Sequence, residues 1–370
     1  MPNIAQAHEA GPIYSWRGDA LGPTVVVGTG VAADAARGFL RDNGLRRPAL
    51  LASPSAHHDG RLRRLADALA VPDGRVFDFL TGHARSSDVT RITRELAGTG
   101  VDAIIALGGG TVSDTAKNVV AALLGERPAA AAVPIVALPT TLSAAELTAA
   151  AGSIDESGHK RVVWADHLAA RIAIYETDYL ATTPPAVLYG TVFNAMAHCL
   201  EGLYSPSRTP ITDALAGSGL RMLCGRSAGS DAERLRRLAT GAVLAGLVVT
   251  RAKSGLEHAI CHSLGAVTGV AHGAAHAVML ARTIRFNTED WPGAAGYLAA
   301  AGYPDIEALA AELDAIRASY ALPERLRDLG VAAEQLTDIA TATMRERGYV
   351  ENVRAGVSEH QLVELLRTCW

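Results

Sequence analysis

Short apolar segments alternate with helical patterns through about residue 180 of the chain. The apolar runs are hydrophobic on both faces, which suits parallel strands buried between helix layers. These runs are Thr24–Val27, Ala49–Ala52, Val101–Leu107 and Pro134–Leu138. Between them, apolar residues recur at helical spacing in Ala32–Asn43, Gly60–Leu69, Ser87–Leu96 and Ser113–Leu124. The alternation predicts an N-terminal α/β domain over residues 1–184, with a doubly wound, Rossmann-like parallel sheet.

The second half of the chain has a different texture. It consists of long Ala/Leu-rich segments with helical spacing, at Val187–Tyr204, Ile211–Leu223, Ala232–Arg251 and Gln335–Met344. The double proline Pro184-Pro185 should block continuation of any helix that precedes it. A chain of 370 residues is long enough for two hydrophobic cores, since single cores stop growing at roughly 250–300 residues. We therefore expect an all-α C-terminal domain over residues 185–370.

Charge and hydropathy narrow the class of function. A formal net charge of −4 gives no basic field for nucleic acid. The longest apolar stretches, such as Ala239–Val249, are far shorter than the ~20 residues of a membrane-spanning helix, and no charged-then-apolar leader opens the chain. The four cysteines show no CxxC spacing, so they indicate reduced thiols. We expect a cytoplasmic protein that acts on a small molecule, with neither nucleic acid nor a membrane as partner.

A triple-glycine turn joins the third apolar run to the next helical pattern. Gly108, Gly109 and Gly110 let the backbone approach an anion closely, and the helix start beyond them offers free N–H groups and a partial positive charge. Thr111 and Asp114 add a hydroxyl and a carboxylate near this helix start. More hydroxyls follow the next apolar run, at Thr140, Thr141 and Ser143. A glycine turn alone is weak support, but together these residues predict a nucleotide-binding edge of the sheet.

Histidines concentrate in three segments of the apolar second half. Asn194 and His198 lie four positions apart, and so do His258 and His262. Each pair therefore lies on one face of a helix. Five of the chain's twelve histidines fall here, and each would be costly to bury unpaired in an apolar helix. The pattern predicts a convergent polar pocket. Its members are Asn194, His198, His258, His262, His272 and His276.

The motifs resemble a known family. GGGTVSDTAK, PTTLSAAELT, NAMAHCLEGLYS and GLEHAICHSLGAVTGVAHGAAHAVML follow one another as in the iron-containing alcohol dehydrogenase superfamily, from about residue 20 to residue 287. The resemblance implies the dehydroquinate synthase-like architecture, a nucleotide-binding α/β domain followed by a helical catalytic domain. It also implies NADH or NADPH as cofactor, a homodimer, and a lysine near the ribose and phosphates of the cofactor at Lys160.

In that family an aspartate and three histidines hold Fe²⁺ or Zn²⁺. The resemblance places these ligands, where a metal is bound, on Asn194, His198, His258 and His272, and it places a proton-relay histidine on His262. Asn194 is the departure, because its neutral amide replaces the only anionic ligand. Even losses outside the ligand set cost roughly 10–100-fold in metal affinity, so we expect weakened metal binding. The same asparagine is typical of the maleylacetate reductase branch, which can work without metal.

Other departures concern the cofactor and the substrate. Pro54 follows the second apolar run, where the alcohol dehydrogenase branch often carries an aspartate for the adenosine ribose, so we expect weak discrimination against NADPH. Ala259, which directly follows His258, occupies the place of a lysine common in the reductase branch, and the acidic Glu257 stands before this histidine. The segment from Thr141 to Glu146 lacks the Gly-Ser step common in both branches. The sequence therefore does not identify maleylacetate as the substrate.

The sequence predicts an NAD(P)H-dependent oxidoreductase that reduces a keto acid, an aldehyde or a ketone. Hydride passes to the carbonyl carbon, and a protonated His198, His258 or His262 stabilises the oxyanion and donates the proton. One alternative is a metal-dependent alcohol dehydrogenase, in which Fe²⁺ or Zn²⁺ supplies a Lewis acid. Another is a non-redox biosynthetic enzyme on the same fold that catalyses an elimination or cyclisation. A pure binding module is least favoured, because clustered histidines are costly to bury without chemistry.

Overall fold

The computed structural model describes residues 11–16, 22–225, 229–288, 291 and 293–370. Within that part, the chain forms two compact units. The first comprises the described residues up to Thr140, together with Ala145–Thr182 and Ser230–Arg236. The second comprises Thr141–Ala144, the described residues from Thr183 to Gly229, and those from Arg237 to Trp370. A domain division at residues 184 and 185 stays a proposal.

A mostly parallel sheet forms the centre of the first unit. The strands are β1 Gly11–Trp16, β2 Thr24–Thr29, β3 Pro48–Ala52, β4 Val76–Phe77, β5 Ala103–Gly108, β6 Ile135–Pro139, β7 Ala150–Ile154, β8 Lys160–Trp164 and β9 Ile172–Glu176. Within the described residues, seven of them pair in the order β1-β2-β9-β6-β5-β3-β4, and β7 pairs with β8 separately. Only β1 runs antiparallel to its neighbour in the larger sheet. The predicted α/β fold class is confirmed.

Helices cover both faces of this sheet. They are α1 Ala32–Asp42, α2 Arg61–Ala68, α3 Ser86–Leu96, α4 Gly110–Leu124 and the short α5 Thr177–Ala181. Successive strand residues enter different cores. Leu50 and Ile105 pack in one apolar cluster with residues of α1 and α2, whereas Leu51 and Ile104 pack in another with residues of α3 and α4. Burial on both faces explains why these strands have no polar alternation.

Gly158, His159 and Lys160 lie where the hairpin of β7 and β8 reverses direction. Gly158 lies in the turn with a φ of 81°, but Lys160 already begins β8 and pairs with Ile154. The side chain of Lys160 lies outside what the structure describes. The hairpin was missed because its two strands are short and partly exposed, without the continuous apolar run that identified the central strands.

The described residues of the second unit form helices and no strand, which confirms its predicted all-helical character. The helices from residue 185 onward are α6 Pro185–Tyr204, α7 Pro210–Cys224, α8 Asp231–Ala252, α9 Leu256–Thr268, α10 His272–Thr288, α11 Ala294–Ala301, α12 Ile306–Ser319, α13 Leu336–Thr343, α14 Arg347–Val350 and α15 Glu359–Cys369. Pro185 is the first residue of α6, where its missing N–H costs nothing and its fixed φ suits the helix. Among the described helices, none combines the length and apolarity needed to cross a bilayer.

Two glycines bring the backbones of α6 and α10 into contact. A Cβ added at Gly190 would lie 3.0 Å from the carbonyl carbon of Gly273, and one added at Gly273 would lie 2.8 Å from that of Gly190. Any larger residue would push the helices apart. The crossing matters for function because His272 directly precedes Gly273 and Asn194 lies one turn after Gly190.

We expect Gly273→Ala to destabilise the helical unit, because its methyl group would overlap the backbone of α6. Overpacking of this kind costs about 1–3 kcal/mol, and the midpoint of thermal unfolding followed by circular dichroism should fall accordingly. Gly296→Ala in α11 is the matched control, since a Cβ there meets no atom within 4 Å and alanine is the better helix former. Equal midpoints for the two variants would contradict the close crossing.

Candidate active site

The glycine turn lies at a topological switch point of the sheet. β3 and β5 are neighbours, yet the chain continues from β3 to β4 on one side and from β5 to β6 on the other. Connections therefore diverge beyond the carboxyl ends of these two strands, which is where open α/β sheets bind their ligands. Gly108 ends β5 and Gly110 begins α4, so the turn occupies this edge.

Close packing explains the first glycine of the turn. A Cβ at Gly108 would lie 2.5 Å from Cγ2 of Val112, in the first turn of α4. Because valine is β-branched and stiff, it cannot move aside without moving the helix. Gly108 therefore fixes the approach of the α4 N-terminus to the end of the strand.

The N-terminus of α4 differs from that of α1. The carboxylate of Glu176 accepts hydrogen bonds from the backbone N–H groups of Gly30, Val31 and Ala32, so the start of α1 is already occupied by an anion. At α4 the N-cap residue is Gly109, which has no side chain to supply a cap. The free N–H groups and partial positive charge of this helix start fit a pyrophosphate.

The polar residues predicted beside the turn have different surroundings. The hydroxyl of Thr111 donates to the carbonyl of Gly82, and the Asp114 carboxylate accepts from the backbone N–H of Gly152 at 3.3 Å. The backbone N–H of Thr140 donates to the Gly108 carbonyl at 3.0 Å. In contrast, the buried hydroxyl oxygens of Thr141 and Ser143 find no hydrogen-bonding partner among the described residues. Unpaired buried donors of this kind fit a bound polar ligand.

Lys117, the last residue of the GGGTVSDTAK motif, is buried and hydrogen-bonds to a neighbouring segment of the chain. Its ammonium group donates to the carbonyls of Ala145 at 2.5 Å and Ala150 at 2.7 Å and to the hydroxyl of Thr148 at 3.1 Å. Burial lowers the pKa of Lys117 to about 8, although Asp114 and Glu146 oppose this shift. The lysine thus holds the chain between β6 and β7, a role that its position in the motif did not reveal.

The second unit brings together the five histidines of the predicted pocket, which we call the imidazole cluster: His198, His258, His262, His272 and His276. Their rings contact one another in pairs. The rings of His198 and His258 stack with centroids 4.6 Å apart, and those of His262 and His272 stack at 5.2 Å. The His276 ring lies 4.6 Å from that of His258 and 4.3 Å from that of His272. The helices α6, α9 and α10 therefore build one polar centre.

Glu201 organises the cluster from α6. One of its oxygens accepts from the backbone N–H groups of Glu257 at 2.7 Å and His258 at 3.4 Å, so it caps the start of α9. The other lies 2.5 Å from Nδ1 of His258. Burial opposes ionisation of this carboxyl, but the charge of His258 and these hydrogen bonds hold the pKa of Glu201 below its usual range. No sequence pattern singled out Glu201, although it lies seven residues after Asn194 on one helix face.

Asn194 faces the opposite side of the His258 ring. Its amide nitrogen donates to the carbonyl of Ser143 at 3.2 Å, which leaves Oδ1 as an acceptor 3.0 Å from Nε2 of His258. Both ring nitrogens of His258 therefore face oxygen acceptors. These two contacts fix the orientation of the ring.

A second carboxylate pairs with His276, which sequence analysis placed in the pocket without assigning it a role. Nδ1 of His276 lies 2.9 Å and 2.8 Å from the two oxygens of Glu257, and its Nε2 lies 2.9 Å from Nε2 of His272. Burial lowers the pKa of His276 well below its usual range, and the neighbouring imidazoles lower it further. Burial and the charge of Glu201 raise the pKa of Glu257 well above its usual range.

The remaining two histidines differ in their access to solvent. His198 is 6% exposed and its Nδ1 has no hydrogen-bonding partner among the described residues. Burial lowers the pKa of His198 well below its usual range, and His258 and His262 lower it further. The side chain of His262 is 34% exposed, and its Nδ1 lies 3.2 Å from the carboxylate of Glu346. Glu346 follows 84 residues later, so no sequence spacing indicated this pair.

A glycine turn at the switch point of a parallel sheet is typical of proteins that bind nucleotides. A buried imidazole cluster in a helical unit is typical of an enzyme. Comparison with known proteins gives its family. The model of the iron-containing alcohol dehydrogenase matches residues 23–177, and that of the C-terminal part of the Fe-containing alcohol dehydrogenase family matches residues 189–370. The chain belongs to the iron-containing alcohol dehydrogenase superfamily, in its maleylacetate reductase-like branch. It is an NAD(P)-dependent oxidoreductase.

Individual relatives agree with this assignment. Lactaldehyde reductase from Escherichia coli is 30% identical over 297 residues, which span 73% of this chain and 78% of that protein. Maleylacetate reductase from Delftia acidovorans is 31% identical over 292 residues, with 76% and 78% covered. The crystal structure of maleylacetate reductase from Agrobacterium tumefaciens superposes with a TM-score of 0.82 at 27% identity, covering 94% of this chain and 96% of that one.

The family's metal ligands fit this chain only in part. The cluster offers imidazole nitrogens backed by carboxylates, which suits Zn²⁺ or Fe²⁺. However, Nε2 of His258 contacts the amide oxygen of Asn194, where the family has an aspartate. Among the described histidines, cysteines and acidic residues, His258 and His272 belong to a group of three whose possible ligand atoms lie within 4.8 Å of one another. Within the same described residues, His198 belongs to no such group.

Gly108→Ala tests the cofactor loop. Its methyl group would overlap Val112 and displace the start of α4. We expect the dissociation constant for NADH to rise at least about tenfold, which corresponds to a loss of about 1.4 kcal/mol in binding free energy. Titration by NADH fluorescence measures it. Gly38→Ala in α1, where a Cβ meets no atom within 4 Å, is the control. Unchanged NADH affinity in folded Gly108→Ala would contradict the assignment of the loop.

Proposed function

We propose that this oxidoreductase reduces the carbonyl group of an aldehyde, a ketone or a keto acid by hydride transfer from NADH or NADPH. The observation that carries the proposal is the imidazole cluster, in which polar groups capable of holding an oxyanion and delivering a proton are assembled within a buried helical core. The names of the relatives, a lactaldehyde reductase and maleylacetate reductases, support a carbonyl substrate.

The nicotinamide cofactor binds with its pyrophosphate at Gly108, Gly109 and Gly110. The start of α4 supports this placement, because its N-cap residue Gly109 has no side chain to cap it and its N–H groups can donate to an anion at the switch point.

His262 is the proton donor in this proposal. His198 is buried and its pKa is lowered well below the usual range, so it is a poor imidazolium. Glu201 holds Nδ1 of His258, and a substrate oxyanion that replaces the Asn194 amide oxygen at Nε2 would accept a hydrogen bond from this ring. His262 is half-buried, is paired with the carboxylate of Glu346, and can exchange its proton with solvent.

A metal-dependent alcohol dehydrogenase is the second candidate. It is favoured by one observation, that three imidazoles bring their ligand atoms within 4.8 Å of one another. A bound Fe²⁺ or Zn²⁺ would then polarise the carbonyl, and His262 would still deliver the proton.

The substrate differs from a dianionic keto acid such as maleylacetate in our proposal, because the buried Ala259 replaces a basic residue of the reductase branch.

His262→Asn should lower kcat for carbonyl reduction by about 10²–10⁴-fold, which is the usual contribution of a positioned proton donor. The affinity for NADH should not change. The assay follows oxidation of NADH or NADPH with a panel of aldehydes, ketones and keto acids. His360→Asn, at an exposed position of α15, is the control. A kcat for His262→Asn equal to that of the control would rule out His262 as the donor.

Both reduced nicotinamides should bind with dissociation constants within about tenfold of each other, because Pro54 stands just after β3 in place of a carboxylate that would bind the ribose hydroxyls and repel a 2′-phosphate. Ser53 and Ser55 contact each other through their hydroxyls at 2.8 Å on either side of Pro54. Pro54→Asp should weaken NADPH binding and leave NADH binding intact. A strong preference of the unmodified protein for NADH would contradict this account of the loop.

A further inference from the structure

Three imidazoles of the cluster place ring nitrogens close to one another. His258, His272 and His276 each offer a ring nitrogen, and these three atoms lie within 4.8 Å of one another. The Nε2 atoms of His272 and His276 are 2.9 Å apart. Around a tetrahedral Zn²⁺ with Zn–N bonds of about 2.0–2.1 Å, pairs of ligand atoms lie about 3.3 Å apart. The observed span includes this separation.

Two of these imidazoles have a carboxylate on the nitrogen that points away. Nδ1 of His258 lies 2.5 Å from Glu201, and Nδ1 of His276 lies 2.8 Å from Glu257. Histidines that ligate metals almost always donate their other ring N–H to such a partner, which fixes the ring and makes it a better ligand. Both contacts thus leave Nε2 as the ring nitrogen available to a metal, and Nε2 of His258 lies 3.0 Å from the amide oxygen of Asn194.

The same carboxylates need positive charge nearby. Glu201 and Glu257 are 1% and 0% exposed, and oxygens of both lie within 4.8 Å of a His258 nitrogen and of each other. Within the described part of the chain, the ion pairs of these two acids are with histidines alone. Two adjacent acids in a dry core repel each other, so a cation among the imidazoles would stabilise the arrangement.

We propose that His258, His272 and His276 form a tri-histidine site for a divalent transition-metal ion such as Zn²⁺ or Co²⁺. His276, paired with Glu257, takes the place of the missing acidic ligand, and His198 lies outside the ligand set. On binding, Nε2 of His258 exchanges its contact with Asn194 for the metal. Three protein ligands leave a fourth position open, where the ion supplies a Lewis acid. The binding itself does not depend on the proposed reduction.

Metal titrations of the chelator-treated protein test this ligand set. Co²⁺ is followed by its visible absorption, and Zn²⁺ by equilibrium dialysis with elemental analysis. We expect one ion per chain, a tetrahedral Co²⁺ spectrum, and at least about a hundredfold weaker binding in His276→Asn. His198→Asn should bind within about threefold of the unmodified protein, since only ligands and their direct partners change affinity strongly. The exposed His360→Asn is the matched control for a removed histidine.

Glu257→Gln provides a second variant, in case His276→Asn does not fold as judged by circular dichroism. Loss of this carboxylate partner should weaken metal binding by roughly 10–100-fold. An unchanged metal affinity in folded His276→Asn or in folded Glu257→Gln would overturn the site. A loss of metal affinity found only in His198→Asn would also overturn it. NADH oxidation is measured separately. Tight metal binding without turnover would contradict the proposed function alone, whereas turnover without metal binding would overturn the metal site alone.

Discussion

The contact between Glu201 and His258 is the one on which the polar centre of the helical unit depends. A single buried carboxylate caps the N-terminus of α9 with one oxygen and holds the His258 ring with the other. The cap fixes where α9 begins, and the ring contact fixes how its first histidine is turned. A buried carboxylate without such partners would be expensive, so the fold and the site require the same interaction.

The other contacts extend this arrangement to the neighbouring helices. The touching glycines of α6 and α10 join the helices that carry Asn194 and His272, and Glu257 pairs with His276 one turn further along α10. Burial lowers the pKa of His198 and His276 well below the usual range, while the half-buried His262 keeps access to solvent. One cluster thus contains rings suited to ligation or hydrogen bonding and one suited to proton delivery.

Much of this fold could be predicted because its signals are local. Continuous apolar runs identified β2, β3, β5 and β6 to within a few residues, and helical spacing identified α1 to α4 and α6 to α8. The hairpin of β7 and β8 lacks such a run, and α4 starts at Gly110 instead of Ser113 because the glycine turn leads directly into the helix. The i,i+4 spacing found the histidines. It could not find Glu346, whose approach to His262 depends on packing across 84 residues.

We infer that Glu201 acts on the proposed reaction through His258. A double-mutant cycle on kcat/KM for carbonyl reduction, with Glu201→Gln and His258→Asn, tests it most directly, because residues that act as a unit give non-additive effects. We predict that each single variant lowers kcat/KM and that the double variant is no slower than His258→Asn. Losses that multiply in the double variant would mean that the two residues act independently, which would contradict the account.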